Sequence, residues 1–375
     1  MKYSVIKITA GSVELAVGDS NGKVLHKERK PISLVSYVEN KRLSERGVEK
    51  LTEIINKFKE ICIERGADEI HSIALELKKL LSAEVLDSIY MATGLKFKKL
   101  SGKACAYYDS ISAEEFFGRE NLVVINTGGC VTTLSDMGNI FSRVVKMGSV
   151  KICSDFIKNV FPSKKETQNA LDCIEKKLKS GFFNRYFSDA VIIGDVSYAV
   201  AQMYADYFHE KLDKEFVMTR KKLNEFFKFF LGDSQRSALV LKYAPERLFT
   251  AAGSVLILKA ILKKLKPARI YVRDYSVIDG YLRAAVSGKL YQKLRDANIE
   301  HAETEEVLTV AVPKEKAAPK AAPAKKSVAA KPKVTAAKKP APKTSAVKAA
   351  TSNKTSAVKK PAAKTTQKPT KKETE

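Results

Sequence analysis

The stretch from Asn121 to Leu134 constrains this chain most. Leu122 to Ile125 is an apolar, largely β-branched run that enters Thr127-Gly128-Gly129, and Val131 to Leu134 follows at once. That order predicts strand, tight glycine turn, strand. Backbone N–H groups that converge at a glycine turn can form a nest for phosphate oxygens, although a plain hairpin has the same appearance. The pattern occurs twice. At the N-terminus Ser4 to Ile8 is followed by Thr9-Ala10-Gly11-Ser12 and then by Val13 to Val17. Asp19-Ser20-Asn21-Gly22 comes next, where Asn-Gly predicts a type I′ hairpin turn, and Lys23 to His26 predicts a third strand. In the second copy Asp136-Met137-Gly138-Asn139 takes the place of that turn and Ile140 to Val145 that of the third strand. Two strand–turn–strand–turn–strand units in one chain predict a duplicated fold with a cleft between the copies.

Between and after these units the pattern is α/β. Ser44–Arg65 carries Val48, Leu51, Ile54, Ile55, Phe58 and Ile61 at three- and four-residue steps, the signature of an amphipathic helix. Ile70–Leu75 and Lys96–Leu100 read as strands, and Leu77–Met91 and Ala104–Phe117 as helices. Beyond Ser149 helices dominate, at Ser149–Val160, Lys165–Gly181, Tyr198–Leu212, Thr219–Leu231 and Gly253–Leu265, with strands at Ala190–Ile193 and Arg269–Val272. Tyr186, Phe187, Tyr204, Tyr207, Phe208, Phe226, Phe227, Phe229 and Phe230 gather in this half and are expected in a helical core. Alternating strands and helices place the chain in the α/β class with helices flanking sheets. The expected organisation is a first lobe over 1–118, a second over 119–292, a linker over 293–312 and a tail over 313–375.

The tail differs from the rest. Residues 313–375 hold 18 Lys, no Arg and 3 Glu, giving +15 of the chain's +25. They also hold 8 of the 12 Pro, no Gly and no aromatic residue, and Lys-Thr-Ser-Ala-Val-Lys occurs at 343–348 and again at 354–359. Such a composition cannot bury a core and predicts disorder. A Lys-Ala-Pro tail is suited to non-specific contact with DNA, RNA or polyphosphate through counterion release, or to a solubilising role. Cys62, Cys105, Cys130, Cys153 and Cys173 are odd in number and form no Cys-x-x-Cys pair, which predicts free thiols, a cytoplasmic setting and no zinc site. Cys130 adjoins the glycine turn and is a small turn residue or a reactive thiol. His26, His71, His209 and His301 are scattered and do not stand beside a Cys or carboxylate at ligand spacing. No apolar run approaches the roughly 18 residues that span a bilayer, and no signal peptide or membrane partner is expected.

With these motifs in order, roughly residues 3–290 resemble the exopolyphosphatase and guanosine pentaphosphate phosphohydrolase (Ppx/GppA) family of the actin, sugar-kinase and Hsp70 superfamily. Lys7 to Leu15 resembles the family's Asp-Ile-Gly-Ser-Asn-Ser-x-x-Leu, and Val124 to Leu134 resembles Val-Ile-Asp-Ile-Gly-Gly-Gly-Ser-Thr-Glu-Leu. Thr93-Gly94-Leu95 and Leu100-Ser101-Gly102 are similar to Thr-Gly-Leu and the start of Ser-Gly-Glu-Glu-Glu-Ala, and Met147 to Lys151 is similar to Leu-Gly-Ala-Val-Arg. Glu246-Arg247 with Ala252-Gly253, then Arg273-Asp274 to Leu282, resemble the family's closing strand and helix. The resemblance implies a duplicated actin-like (ribonuclease H-like) fold, a cleft for polyphosphate or a phosphorylated nucleotide, Mg2+ as cofactor if the chain is active, and a homodimer.

The departures from the family pattern bear on chemistry. The resemblance implies carboxylates that hold a metal ion and position water. Here Lys7 stands for the first Asp, Asn126 for the second-motif Asp, Thr133 for its Glu, and Ala104 and Cys105 lie in the segment that supplies the base. Ala-Thr-Ser-Ala-x-Arg becomes Ala74 to Lys79, without its hydroxyls, and the Gly-x-Gly-Gly-Thr turn reads Gly194-Asp195-Val196-Ser197-Tyr198. The glycines Gly102, Gly128, Gly129, Gly194 and Gly280 persist. Candidate phosphate contacts are therefore Lys7, Gly11, Ser12, Lys79, Thr127, Gly128, Gly129 and Gly194. A neutral Asn or Thr holds a hard cation poorly, so a degenerate member that binds or scaffolds is expected. The alternative is hydrolysis through displaced carboxylates, with Asp109, Glu114, Glu115 and Asp136 nearest in sequence and otherwise expected as helix-surface, cap or turn residues.

Overall fold

The computed structural model describes residues 1–291 except 41, 76–79, 138–140, 180 and 215. The linker and tail expected over 293–312 and 313–375, together with Lys79, Gly138, Asn139 and His301, lie outside the described residues. The first lobe opens with β1 (Tyr3–Ile8), β2 (Ser12–Gly18) and β3 (Val24–Pro31), a short hairpin of β4 (Val38–Glu39) and β5 (Arg42–Leu43), and helix α1 (Glu45–Glu64). It continues through β6 (Glu69–Ala74), α2 (Ala83–Thr93), β7 (Lys98–Lys99) and α3 (Gly102–Ser112). Its sheet runs β3-β2-β1-β6-β7, with β1 antiparallel to β2 and parallel to β6.

The second lobe repeats that plan with β8 (Leu122–Thr127), β9 (Thr132–Asp136), β10 (Ser142–Val145), α4 (Ser149–Phe156), α5 (Lys164–Lys177) and β11 (Asp189–Ile193). It then runs through α6 (Asp195–Tyr207), β12 (Val217–Met218), α7 (Arg220–Gly232), α8 (Arg236–Tyr243), α9 (Ala251–Leu265), β13 (Arg269–Val272) and α10 (Val277–Val286). The sheet order β10-β9-β8-β11-β13-β12 is the first lobe's order with one strand added at the edge. The duplication expected from the glycine turns is thus present: β1 and β8 are equivalent central strands, each followed by two antiparallel neighbours and then by a parallel crossover. Leu122 to Ile125 are all buried, as both faces of β8 are covered.

Periodicity located α1 well. Leu51, Ile54, Ile55, Phe58 and Cys62 form its buried stripe, and each large apolar side chain so buried contributes roughly 1.5–3 kcal/mol. Other expectations need correction. The turn after β2 is not type I′, because Gly22 has φ +74° while Asn21 is not left-handed. Instead the Asp19 carboxylate accepts from Asn21 N–H (2.9 Å) and Lys23 N–H (3.0 Å), and the strand register shifts at Val17/Gly18. Of the helix expected over Leu77–Met91, residues 77–79 lie outside the described residues, and α2 starts at Ala83 after its N-cap Ser82. Tyr186 is exposed, whereas Phe187, Tyr204, Phe226, Phe227 and Phe230 are core. His26 and His71 do lie beside carboxylates, 3.7 Å from Glu28 and 3.3 Å from Glu69, each two residues away on the same strand face.

Two helices cross between the lobes. α3 ends the first lobe yet packs on β9 and β10, and α10 ends the second yet packs on β1 and β2. Together they bury Val5, Ala16, Leu100, Ala104, Tyr108, Ile278 and Leu282 in one cluster. The two helices touch at Gly280, where an added Cβ would meet the Tyr108 carbonyl oxygen at 1.8 Å. This crossing places Cys105 and Asp109 of α3 and the N-terminus of α10 at the base of the cleft.

Candidate functional site

The cleft between the sheets has a volume of about 530 Å³. Of the sequence-predicted residues, Lys7, Gly11, Cys105, Asn126, Gly128, Gly129, Thr133 and Gly194 line it. Ser12 and Thr127 are buried behind it, Ser12 bonded to Glu14 (2.9 Å) and Thr127 to Ser197 (2.8 Å). Ala104 belongs to the core beneath α3 and not to the cleft; its neighbour Cys105 takes the cleft-facing position.

Both glycine turns are closed on themselves. In the first, Thr9 Oγ1 accepts from Gly11 N–H (3.1 Å) and Ser12 N–H (2.9 Å), so the amides expected to cradle phosphate already have a partner. In the second, Gly128 N–H donates to the Val131 carbonyl (2.9 Å), and the carbonyls of Gly128 and Gly129 accept from Ser149 and Val150 at the start of α4 (3.0 Å each). The helix thereby satisfies two of its otherwise unpaired N–H groups. Gly194 has φ +90°, which disfavours other residues, and its Cα lies so close to the Asn126 side chain that a Cβ would meet Oδ1 at 2.3 Å.

Lys7 does not present a free ammonium. Its Nζ lies 2.7 Å from Glu14 Oε2, directly across the β1–β2 ladder, and donates to Ser276 Oγ at 3.2 Å. Both ends of the pair are buried, at 3% and 4% exposure. Ser276 also caps α10 in a capping box with Asp279. A buried ammonium requires a partner of this kind, because desolvation of a lone ion costs several kcal/mol.

Asp109 is the second unexpected feature. It is not on the helix surface: it is 1% exposed and reaches into the positions resembling the family's acids. Asn126 Nδ2 donates to its Oδ1 (2.9 Å) and Thr133 Oγ1 to its Oδ2 (2.5 Å). Burial pushes its carboxyl up to about 6, against the opposing pull of the Thr133 and Asn126 bonds and the charge of Lys7. The other displaced candidates point elsewhere. Glu114 pairs with Arg283 (3.3 Å), Glu115 with Arg273, and Asp136 accepts from Phe141 N–H (3.3 Å).

Arg29, which the sequence did not single out, and Asp195, Glu246 and Arg247, which it marked only as parts of motifs, complete the wall. Arg29 Nη1 lies 2.9 Å from Glu246 Oε1, and its Nε lies 3.3 Å from Asp195 Oδ2. Arg247 pairs with the same Asp195 oxygen and lies 3.5 Å from Glu246 Oε1. Burial would raise the Asp195 carboxyl, but the guanidinium charges of Arg247 and Arg29 more than offset it and hold the group below its ordinary range. Among the described residues the lining carries three cations (Lys7, Arg29, Arg247) and four carboxylates (Glu14, Asp109, Asp195, Glu246). Each of these cations has a carboxylate partner, and of these carboxylates Asp109 is hydrogen-bonded only to neutral groups.

Residues 5–287 match the Ppx/GppA phosphatase family model. Among solved structures, an exopolyphosphatase from Cytophaga hutchinsonii superposes with TM-score 0.69 at 14% identity, covering 77% of this chain and 98% of that one. The Aquifex aeolicus member of the Ppx/GppA protein family gives 0.66 at 19% identity, covering 78% and 99%. At these identities the superpositions establish the actin-like fold alone. Comparison with curated proteins gives no significant match. Among the described residues no helix is long and apolar enough to cross a membrane.

Proposed function

The chain belongs to the Ppx/GppA phosphatase family, and we propose that it is a catalytically degenerate member acting by binding or scaffolding instead of by phosphoanhydride cleavage. The observation that carries this is the make-up of the cleft floor. Phosphoryl transfer relies on a divalent ion to gather charge and on a positioned base for the attacking water. Of the four described lining carboxylates, Glu14, Asp195 and Glu246 are held by Lys7, Arg29 and Arg247, which leaves one carboxylate (Asp109), an amide (Asn126) and a hydroxyl (Thr133), with the Lys7 ammonium close enough to act on Asp109. That set does not fit Mg2+, which favours carboxylates and is repelled by a cation at position 7. Loss of a positioned base alone costs about 100- to 10,000-fold in rate.

Family membership supports polyphosphate or a phosphorylated nucleotide as the ligand, and the described lining, with three cations against four carboxylates, favours neither. The test is release of inorganic phosphate from polyphosphate, ATP and guanosine polyphosphates with Mg2+. Release no faster than in protein-free controls is expected. Robust turnover lost on substitution of Asn126 or Thr133 contradicts the reading.

A second reading rests on Asp109, a cleft carboxyl with a value near neutrality, the property of a general base. If hydrolysis persists, Asp109→Asn abolishes it. The tail, with its +15 charge, is proposed as a non-specific tether for nucleic acid or polyphosphate. Truncation after residue 312 should abolish retention on such polyanions; unchanged retention would refute the tether.

A further inference from the structure

β3 is the edge strand of the first sheet, and its two faces do different work. Alternate residues of a strand share a face. On one face His26, Glu28 and Lys30 pair among themselves, His26 with Glu28 at 3.7 Å and Lys30 with Glu28 at 3.0 Å. On the other, Lys27 and Arg29 turn away from their own strand and reach the second lobe. Lys27 Nζ donates to the Asp274 carbonyl (3.1 Å), just beyond β13. Arg29 reaches Asp195 at the start of α6 and Glu246 in the single turn before α9, and Arg247 of that turn joins both carboxylates.

We propose that Arg29, Asp195, Arg247 and Glu246 form an ionic latch that holds the two lobes together across the cleft mouth without a ligand. Arg29 is the one member from the first lobe, so closure through this cluster depends on it. The cluster is electrically balanced, with two cations and two carboxylates, and needs no bound anion to complete it. The partners are only partly buried, Arg29 at 28% and Asp195 at 38% side-chain exposure, so the latch is reversible and salt-sensitive. The inference rests on inter-lobe packing and stands whether or not the cleft retains hydrolysis.

The test is hydrogen exchange followed by mass spectrometry on the full chain. Arg29→Ala should speed exchange of the cleft turns at residues 9–12 and 128–131 by about tenfold, the effect of losing two partly exposed ion pairs. Arg29→Lys should restore part of the protection. Raising ionic strength should speed exchange at the same amides in the wild type and have little further effect in Arg29→Ala. Protection of α10 serves as the check that the fold is intact. If Arg29→Ala does not fold, Glu246→Ala removes the 2.9 Å contact and leaves Arg247 paired with Asp195. Cleft-turn exchange equal to wild type in whichever variant folds, or a wild type insensitive to salt, overturns the proposal.

Discussion

Replacing Asp109 with asparagine should change how stability depends on pH. Burial moves the carboxyl from an ordinary 3.8 to about 6 on folding, which is worth about 3 kcal/mol between the protonated and ionised forms. The folded-state value lies above the unfolded one, so the associated stability belongs to the protonated form. It is fully present below about pH 4, falls as pH rises and is gone above about pH 6, where both states are ionised. The residue is almost wholly buried, so solvent screening removes little of this. Urea unfolding of the full chain, wild type and Asp109→Asn, followed by far-UV circular dichroism from pH 4 to pH 8, reads the effect directly. The difference between the two proteins should shift by about 3 kcal/mol in favour of the variant between pH 4 and pH 6.5 and then stay level. Comparison at each pH cancels the other titrating groups and any constant cost of the altered hydrogen bonds. A difference that does not vary with pH would refute the assignment of Asp109 as a buried carboxylate with only neutral partners.

Other perturbations test the scaffold beneath the cleft. Lys7→Leu leaves Glu14 buried without its 2.7 Å partner and should cost about 3–5 kcal/mol, whereas Lys7→Leu with Glu14→Leu should recover most of it, both read from urea midpoints. A double variant as unstable as the single one would mean the pair has a role other than mutual neutralisation. Gly280→Ala drives a methyl group to 1.8 Å from the Tyr108 carbonyl and should destabilise by about 3 kcal/mol or more, seen as a lowered thermal midpoint. A wild-type midpoint would mean that α3 and α10 can part at no cost.

Much of the fold was legible in the chain because it depends on local signals that recur. The glycine turns at Gly11 and at Gly128-Gly129 sit between β-branched runs, and those runs became β1–β2 and β8–β9. The amphipathic stripe of α1 was equally plain. The short helix α8 was not read, as Arg236 to Tyr243 buries few residues and carries a weak stripe. The site was less legible. Lys7, Asn126 and Thr133 were marked by their positions, but the partner of Lys7 lies across a ladder, and Asp109 reaches Asn126 and Thr133 only because α3 packs on the second sheet. Sequence spacing made Asp109 look like one more polar residue on a helix. Lys27 and Arg29 lie beyond the third strand expected at Lys23 to His26, since β3 continues to Pro31, and their partners, up to 252 residues away, leave no local signal.

A cleft floor that does not support hydrolysis is tested in a single-turnover experiment, with the full chain in excess over end-labelled polyphosphate in the presence of Mg2+. Phosphate release is expected at the rate of Mg2+ alone, unchanged by Asn126→Ala. Release that requires the protein, depends on Mg2+ and is lost in Asn126→Ala would contradict it.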